Sequence, residues 1–432
     1  MTNSKQLRIL RFGLRVSAAS GAVALAMVLA LTVVASQAAQ AQTFNVIHNF
    51  FGLQDGSFPL AGLTMDAGGN LYGTASSGGN GYGTLYRLKR SGANWVVQPL
   101  YSFSLTDGSF PEARVIFGPG GILYGTTTYG GTANQGTVFS LRPPVSACKT
   151  ALCPWAETVL YGFSGGTDGA SPGYGDVLFD QAGNLYGTTS AGGLLTCYSG
   201  GCGTVYELTP SGGGWTESVL YSFGTGGSTD GVFPSNGMIF DSAGNLYSTT
   251  FGGGSLGVGG LGTVFQLAPS ESGWTENILY DFPGSAGNPS GGLIFDQQGN
   301  LYGVTTTGGS GGGGTVFELT LSSGTWSLTT LYSFTGSPEC GPYGTLTMDA
   351  AGNLYGTTYC AGANGAGNVF KLTSTDGSWT YSSLHDFTGG SDGGYPTSNV
   401  ILDASNNLYG TAVLGGSEGK GVVWEIMPSG RD

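Results

Sequence analysis

The sequence predicts an all-β protein, specifically a seven-bladed β-propeller, and three observations support this prediction. A phrase built on Asn-Leu-Tyr-Gly recurs, the segments around it are short and rich in β-branched and aromatic residues, and Gly, Ser and Asn separate them. The tyrosines of the phrase are Tyr72, Tyr124, Tyr186, Tyr247, Tyr302, Tyr355 and Tyr409. Their spacings are 52, 62, 61, 55, 53 and 54 residues, and strand-rich repeats of this length are typical of propellers.

Each repeat contains four strand-like segments, so we expect one four-stranded antiparallel blade per repeat. Residues 290–334 show the order, which is GGLIFD, NLYGVTTT, TVFELTL and TWSLTTLYSF. We number these strands first to fourth, from the central channel outwards. The first segments, such as LIFD and VLFD, are apolar at successive positions, which is typical of a strand buried on both faces.

The fourth strand begins with tryptophan and ends in Leu-Tyr-Ser-Phe or a close variant, but only six copies follow their own third strand. The tryptophans are Trp95, Trp155, Trp215, Trp274, Trp326 and Trp379. The segment FNVIHNF, residues 44–50, aligns with YSSLHDF, whereas the last repeat stops after GVVWEIM. We therefore expect the N-terminal strand to complete the last blade and close the ring, which removes free sheet edges.

The turn between first and second strands recurs as D-x-x-G-N. It occurs at Asp66, Asp180, Asp241, Asp296 and Asp349. Asp accepts hydrogen bonds from turn N–H groups, and Gly takes the positive φ that a hairpin needs. We therefore interpret these aspartates as structural.

The first 41 residues have the pattern of a secretory signal peptide. Four basic residues precede an apolar run, and Ala39-Gln40-Ala41 forms a cleavage site; an uncleaved anchor helix is the alternative. Residues 42–432 form one predicted domain with 9 basic and 26 acidic side chains, a formal net charge of −17. This negative charge excludes nucleic acid as a partner and disfavours contact with an anionic membrane. Because of the signal peptide, we expect an exported protein that is secreted or held in the cell envelope, with no membrane contact after cleavage.

Six cysteines in an exported chain favour disulfides. Cys148 with Cys153 and Cys197 with Cys202 form two local pairs, which leaves Cys340 with Cys360. A zinc site is not expected, because the spacing is wrong and the sequence has only His48 and His385. Both histidines occupy the tyrosine position of a fourth strand, so we expect neither a catalytic triad nor a cofactor.

Two sets of residues are candidate ligand-binding groups at the mouth of the channel. The inter-blade loops repeat D-G-x-x-P, with aspartates Asp55, Asp107, Asp168, Asp230 and Asp392; turn formation is the alternative role. The position before each first strand varies among the repeats and includes Arg114, Asp176 and Asn399, for which solvation is the alternative. Loop tyrosines such as Tyr82, Tyr129, Tyr198 and Tyr343 are candidates for stacking on sugar rings.

The phrases GNLYGTT, GTVFELT and VLYSF resemble the tandem GloVer repeats, of Gloeobacter/Verrucomicrobia type, of choice-of-anchor bacterial proteins, and the resemblance covers residues 44–428. It implies an exported repeat protein with no assigned catalytic residues. Members end in various surface anchors, whereas this chain ends EIMPSGRD, which favours a released protein. We expect a monomeric binding module for an extracellular glycan or a cell-surface protein. The alternatives are a propeller glycan lyase or hydrolase and a structural cell-envelope protein.

Overall fold

A computed structural model describes residues 42–144, 155–197, 200–227, 229–271, 273–284 and 287–428. Residues 44–427 form one compact unit. The predicted signal peptide, Cys148, Cys153 and Tyr198 lie outside the described residues. In the described part of the chain, no helix has the length and apolar character needed to cross a membrane.

Seven antiparallel four-stranded blades form a ring, which confirms the predicted fold class. The first strands are Thr64–Met65, Ile116–Phe117, Leu178–Phe179, Ile239–Phe240, Ile294–Phe295, Thr347–Met348 and Ile401–Leu402. The second strands are Leu71–Ala75, Leu123–Thr127, Leu185–Thr189, Leu246–Thr250, Leu301–Thr307, Leu354–Thr358 and Leu408–Ala412. We number the blades 1 to 7 in this order.

The two outer strands of each blade are longer. The third strands are Thr84–Ser91, Thr137–Arg142, Thr204–Ser211, Thr263–Ser270, Gly312–Ser322, Asn368–Thr375 and Val422–Met427. The fourth strands are Asn94–Ser102, Ala156–Gly162, Gly214–Ser222, Gly273–Asp281, Thr325–Thr335, Ser378–Asp386 and, for blade 7, Thr43–Asn49. Short strands Gly231–Val232, Gly252–Gly253 and Gly287–Pro289 and 3-10 turns Pro119–Gly121 and Gly257–Gly259 lie in the connections.

The first strands have only two paired residues each, fewer than the four-residue apolar segments suggest. In blade 1, Asp66 already belongs to the hairpin turn, where its N–H donates to the Asn70 carbonyl. On the other side, Ala61 and Gly62 line the centre of the ring instead of pairing with the second strand. The apolar character of the segment therefore reflects burial between blades more than strand length.

The N-terminal strand closes the ring as the sequence predicts. It pairs with the third strand of blade 7, so the order in that sheet is Thr43–Asn49, Val422–Met427, Leu408–Ala412 and Ile401–Leu402. The next residue, Phe50, is fully buried, and its N–H donates to the Gly421 carbonyl at 3.1 Å. Blade 7 thus combines one strand from the beginning of the domain's sequence with three strands from its end.

The third residue of each second strand is glycine in six blades, because an aromatic ring from the third strand lies against it. The rings belong to Tyr86, Phe139, Tyr206, Phe265, Phe317, Phe370 and Trp424, all fully buried. A Cβ built on Gly187 would lie 2.2 Å from the Tyr206 hydroxyl oxygen, and one on Gly410 would lie 2.3 Å from a Trp424 ring carbon. Blade 4 has Ser248 at this position, opposite Phe265.

The D-x-x-G-N turns have the predicted structural role. In blade 4, Asp241 Oδ1 accepts the N–H groups of Ala243 and Asn245 at 2.8 and 2.9 Å, and Oδ2 accepts the Tyr247 hydroxyl at 2.9 Å. Gly244 has a φ of 87°. Asp403 in D-A-S-N-N makes the same bonds with Asn406 at a φ of 61°, a variant that the sequence motif missed.

Two of the three predicted disulfides lie in the described residues, and both are formed. Cys197 bonds to Cys202 within the loop between the second and third strands of blade 3. Cys340, in the loop before blade 6, bonds to Cys360, in the second-to-third-strand loop of that blade. Disulfides persist in oxidising surroundings, so these two indicate an oxidising, extracellular type of environment.

Candidate functional site

A central cavity of about 590 Å³ opens on one face of the ring. This face carries the inter-blade loops and the second-to-third-strand loops, which pair at bridges such as Ser109 with Tyr129 and Ala170 with Ala191. All seven residues at the variable position before the first strands line the cavity. They are Gly62, Arg114, Asp176, Gly237, Gly292, Thr345 and Asn399. The structure therefore brings together Arg114, Asp176 and Asn399, which the sequence spreads over 286 positions.

The second strands hold these residues in place through threonine hydroxyl groups. Each hydroxyl donates across a blade interface to the carbonyl of the residue before a cavity position. The bonds are Thr74 to Ala113 at 3.2 Å, Thr188 to Asn236 at 3.1 Å, Thr357 to Ser398 at 2.9 Å and Thr411 to Ala61 at 3.0 Å. The threonine after the third residue of these second strands thus fixes the backbone at four of the seven positions from which the variable side chains project.

Arg114 and Asp176 form an ion pair across the interface between blades 2 and 3. One Asp176 oxygen, Oδ2, accepts Nε of Arg114 at 2.9 Å and lies 2.9 Å from its NH2, and Oδ1 accepts the Arg114 backbone N–H at 2.9 Å. The arginine and aspartate side chains are 32 % and 27 % exposed. The pair is held in one geometry yet open to the cavity, where charge-assisted hydrogen bonds to a ligand are strong.

The opposite part of the cavity is neutral. Thr345 Oγ1 accepts the Gly292 N–H at 2.7 Å, which fixes the threonine side chain. The Asn399 amide lies over Gly62, where a Cβ would lie 1.5 Å from its oxygen. Glycine at position 62 therefore leaves the space that the Asn399 side chain occupies.

Several cavity residues were not selected from the sequence. Glu112 lies two residues before Arg114 and accepts the Thr128 hydroxyl, and burial raises its pKa although that hydrogen bond lowers it. Tyr174, two residues before Asp176, lines the same wall, and burial together with the charge of Glu112 raises its pKa to about 12. The sequence signal that could have identified both residues is their position, because Glu112 and Tyr174 each lie between the proline of an inter-blade loop and a residue of the variable position.

Three aromatic side chains line the cavity. Tyr174 and Phe251 are 51 % and 42 % exposed, and Tyr343 lines the cavity between blades 5 and 6. Tyr343 also starts a row of tyrosines, with ring centroids 5.4 Å from Tyr359, which lies 5.3 Å from Tyr395. Of the loop tyrosines named from the sequence, Tyr343 lines the cavity, whereas Tyr82 and Tyr129 do not.

The structure does not place the five D-G-x-x-P aspartates among the residues that line the cavity. Each instead accepts hydrogen bonds from its own loop or from the fourth strand before it. Asp107 accepts the Ser104 N–H at 2.8 Å and the Tyr101 hydroxyl at 2.8 Å, and Asp392 accepts the Thr388 N–H at 3.0 Å. Asp55, Asp168 and Asp230 make corresponding bonds. These contacts agree with the alternative role in turn formation, and the ligand-binding role of the five aspartates stays a prediction.

Both histidines occupy the tyrosine position of a fourth strand, as predicted. His48 Nε2 lies 3.3 Å from Asp55 Oδ2, and His385 Nε2 lies 3.1 Å from Asp392 Oδ2. Burial lowers the pKa of each histidine, and the neighbouring aspartate only partly opposes this. Within the described ranges, no group of three or more His, Cys, Asp or Glu side chains has metal-binding geometry.

The fold and the site define a β-propeller with a loop-lined central cavity in the size range of small-molecule sites. The chain belongs to the Gloeobacter/Verrucomicrobia repeat family, whose model matches residues 32–198, 151–347 and 255–432. Among curated proteins, none matches the sequence.

Solved structures with some similarity include three proteins of low sequence identity. A protein of unknown function from Dyadobacter fermentans is 12% identical with a TM-score of 0.46, covering 89% of this chain and 96% of its own. A candidate 6-phosphogluconolactonase from Bacteroides uniformis is 15% identical with a TM-score of 0.48, and the match covers 76% of this chain and 84% of the other. A gluconolactonase from Xanthomonas campestris is 17% identical with a TM-score of 0.37, and the match covers 63% of this chain and 75% of the other. These values carry no functional argument for this chain.

Proposed function

We propose that this protein is an exported binding module that holds an extracellular glycan in the central cavity. The observation that carries the proposal is the combination of three aromatic rings in the cavity wall, the exposed Tyr174 and Phe251 and the half-buried Tyr343, with polar groups in the same wall. Sugar rings present apolar faces that pack on aromatic rings and hydroxyl groups that need hydrogen-bond partners. Arg114, Asp176, Thr345 and Asn399 supply such partners.

The charge balance of the cavity favours a neutral glycan. The positive charge of Arg114 is compensated by Asp176 at 2.9 Å, and the described residues that line the cavity include no other Arg or Lys for a carboxylate or sulfate group. The other ionisable carboxyl in the wall is Glu112, whose burial favours its neutral form. An anionic sugar would therefore meet no compensating charge and would bind less tightly than a neutral one.

A glycan-array measurement on residues 42–432, followed by product analysis of every hit, tests the proposal. Saturable binding of neutral glycans without a product supports it. Binding restricted to sulfated or uronic-acid glycans contradicts the charge argument. Absence of glycan binding contradicts the proposal itself and favours a protein partner or a structural role in the cell envelope.

One observation favours the enzymatic alternative strongly enough for a separate test. Glu112, with its raised pKa, and Asp176 line the same cavity, and glycoside hydrolysis requires two carboxyl groups of which one is protonated. New reducing or unsaturated ends in the product analysis would establish a hydrolase or lyase. In that case, Glu112→Gln and Asp176→Asn are each expected to abolish turnover.

Replacing Arg114 with alanine is expected to weaken glycan binding about ten- to 150-fold, because a charge-assisted hydrogen bond contributes about 1.5–3 kcal/mol. Isothermal titration calorimetry with an array hit measures the change in Kd. Lys89→Ala removes an exposed positive charge from the outer strands and is the matched control. An equal loss of affinity in both variants would show that net charge, and not the cavity contact, controls binding.

A further inference from the structure

Three consecutive blade interfaces contain the same trio of acidic and phenolic side chains. In each, a tyrosine near the end of a fourth strand donates to the aspartate of the following loop, and a glutamate of the next blade lies beside them. The tyrosine–aspartate bonds are Tyr101 to Asp107 at 2.8 Å, Tyr161 to Asp168 at 3.1 Å and Tyr221 to Asp230 at 3.2 Å. The glutamates are Glu157, Glu217 and Glu276, and each has a buried Oε1 without a hydrogen-bond partner among the described residues.

The interface between blades 3 and 4 is the clearest case. Asp230 is 3 % exposed, and its Oδ2 accepts N–H groups of Gly224 and Gly226 at 2.6 and 2.9 Å. The Tyr221 hydroxyl lies 3.2 Å from Asp230 Oδ2 and 3.0 Å from Glu276 Oε2, but it has one proton to donate. Asp230 Oδ1 and Glu276 Oε1 are both buried and have no hydrogen-bond partner in the part of the chain that the structure describes. One proton between the two carboxyl groups accounts for both unpaired oxygens, since a protonated carboxyl donates and a carboxylate accepts.

The repeats themselves show that the glutamate depends on its neighbours. The equivalent positions, four residues before the Tyr or His of each fourth strand, are Phe44, Val97, Glu157, Glu217, Glu276, Leu328 and Tyr381. Glutamate occurs at the three interfaces where the preceding blade supplies both Tyr and the loop Asp. Where the preceding blade supplies His and Asp, the residue is Phe44 or Val97; where the loop has no such Asp, it is Leu328 or Tyr381. This pattern is expected if the glutamate is a partner of the aspartate and not an exposed charge.

The titration properties agree with this geometry. Burial, and then the charge of Asp230, raise the pKa of Glu276 to about 8. Burial, followed by Asp107 and by Asp168 respectively, raises the pKa of Glu157 and that of Glu217 to about 7 each. The titratable groups that face Glu276 are Asp230 and Tyr221, those that face Glu157 are Asp107 and Tyr101, and those that face Glu217 are Asp168, Tyr161 and Tyr206. No ion pair of the described chain supplies these glutamates with a cation.

We propose that Asp230 and Glu276 share one proton across the interface between blades 3 and 4, and that loss of this proton weakens the ring. A surface cavity of about 460 Å³, lined by Tyr221, Asp230, Trp274 and Glu276, gives water access to the pair. Removal of the proton leaves two negative charges at a buried interface, which is unfavourable. At the two preceding interfaces both carboxylate oxygens of Asp107 and of Asp168 already accept hydrogen bonds, so the shared proton is proposed for Asp230 and Glu276 alone. This device is independent of the ligand in the central cavity.

The direction of the pH dependence follows from the protons bound in each state. The unfolded glutamates release their protons at their ordinary pKa, whereas the folded ones keep them up to the raised pKa of about 7 or about 8. Between these limits the folded state binds more protons, so stability falls as pH rises. The melting temperature is therefore expected to be higher at about pH 5 than at about pH 8.5.

Replacing Glu276 with glutamine tests the shared proton, because the glutamine amide donates as the protonated acid does but cannot ionise. Thermal unfolding of residues 42–432 is measured at about pH 5 and about pH 8.5. We expect Glu276→Gln to leave Tm nearly unchanged at the lower pH and to raise it by about 2 °C or more at the higher pH. Glu271→Gln changes an exposed glutamate of the same hairpin and is expected to change neither value.

Two results would overturn the proposal. The first is a Glu276→Gln variant whose Tm falls with pH as steeply as that of the parent protein. The second is a rise of the parent's Tm with added CaCl₂ at about pH 8.5 that Glu276→Gln abolishes, which would identify the pair as a cation site. An infrared titration that shows loss of a protonated carboxyl band near neutral pH in the parent, and a smaller loss in Glu276→Gln, supports the shared proton directly.

Discussion

Replacing Phe50 with alanine is expected to lower the free energy of unfolding by about 3–5 kcal/mol, the range for removing a large buried ring. Phe50 is fully buried and its ring centroid lies 5.1 Å from that of Tyr86 in blade 1. Leu63, Leu88 and Val423 belong to the same core cluster, so the side chain joins blades 7 and 1. Urea unfolding followed by tryptophan fluorescence measures the loss.

Phe51 provides the matched control for this prediction. It is the next residue, it is also phenylalanine, and it is 55 % exposed. We expect Phe51→Ala to change the free energy of unfolding by less than about 0.5 kcal/mol. Equal losses in the two variants would show that the closing segment is not docked between blades 7 and 1 as the structure indicates.

The fold could be predicted almost completely, because the repeat supplies seven examples of each element. Tyr72 and its six equivalents gave the number of blades, and the alignment of FNVIHNF with the fourth strands gave the closure. A single copy of the first strand would not have supported any of this, since each has two paired residues. The prediction depended on repetition and not on the strand signal of any one segment.

The candidate site could be predicted only from the position at which the seven repeats differ from one another. Arg114, Asp176 and Asn399 were selected because their position varies, and all three line the central cavity. The ion pair between Arg114 and Asp176 could not be derived, because it depends on two side chains from different blades. Glu112 and Tyr174 were missed for a different reason, because each lies two residues before the variable position that was compared among the repeats.

The loop aspartates are a repeated feature whose role could not be decided from the sequence. A repeated carboxylate at a loop is compatible both with a ligand and with a turn, and sequence contains no distance that separates the two. In the structure, the carboxylates of Asp107 and Asp392 accept hydrogen bonds from backbone N–H groups that lie three and four residues before them, respectively. Repetition of a residue was therefore evidence for the scaffold, and variation at one position was the better guide to the cavity.

The same reasoning predicts the second large stability effect, at a repeated glycine. Gly187→Ala is expected to destabilise the protein by about 1–3 kcal/mol, the usual cost of adding an atom to a packed core. The added Cβ would lie 2.2 Å from the Tyr206 hydroxyl oxygen and 2.4 Å from the ring carbon that carries it. Urea unfolding measures the effect. Gly162→Ala is the control, because its Cβ would have no other atom within 4 Å.

A second substitution identifies the cause of this loss. Blade 4 has Ser248 opposite Phe265, so in that blade a Cβ is accommodated opposite a ring that lacks a hydroxyl. Tyr206→Phe removes a buried hydroxyl that has no hydrogen-bond partner in the described chain, and alone it is expected to be neutral or stabilising. In combination with Gly187→Ala it is expected to recover about 1 kcal/mol. If the two substitutions prove additive, the tyrosine hydroxyl is not the group that requires glycine at position 187.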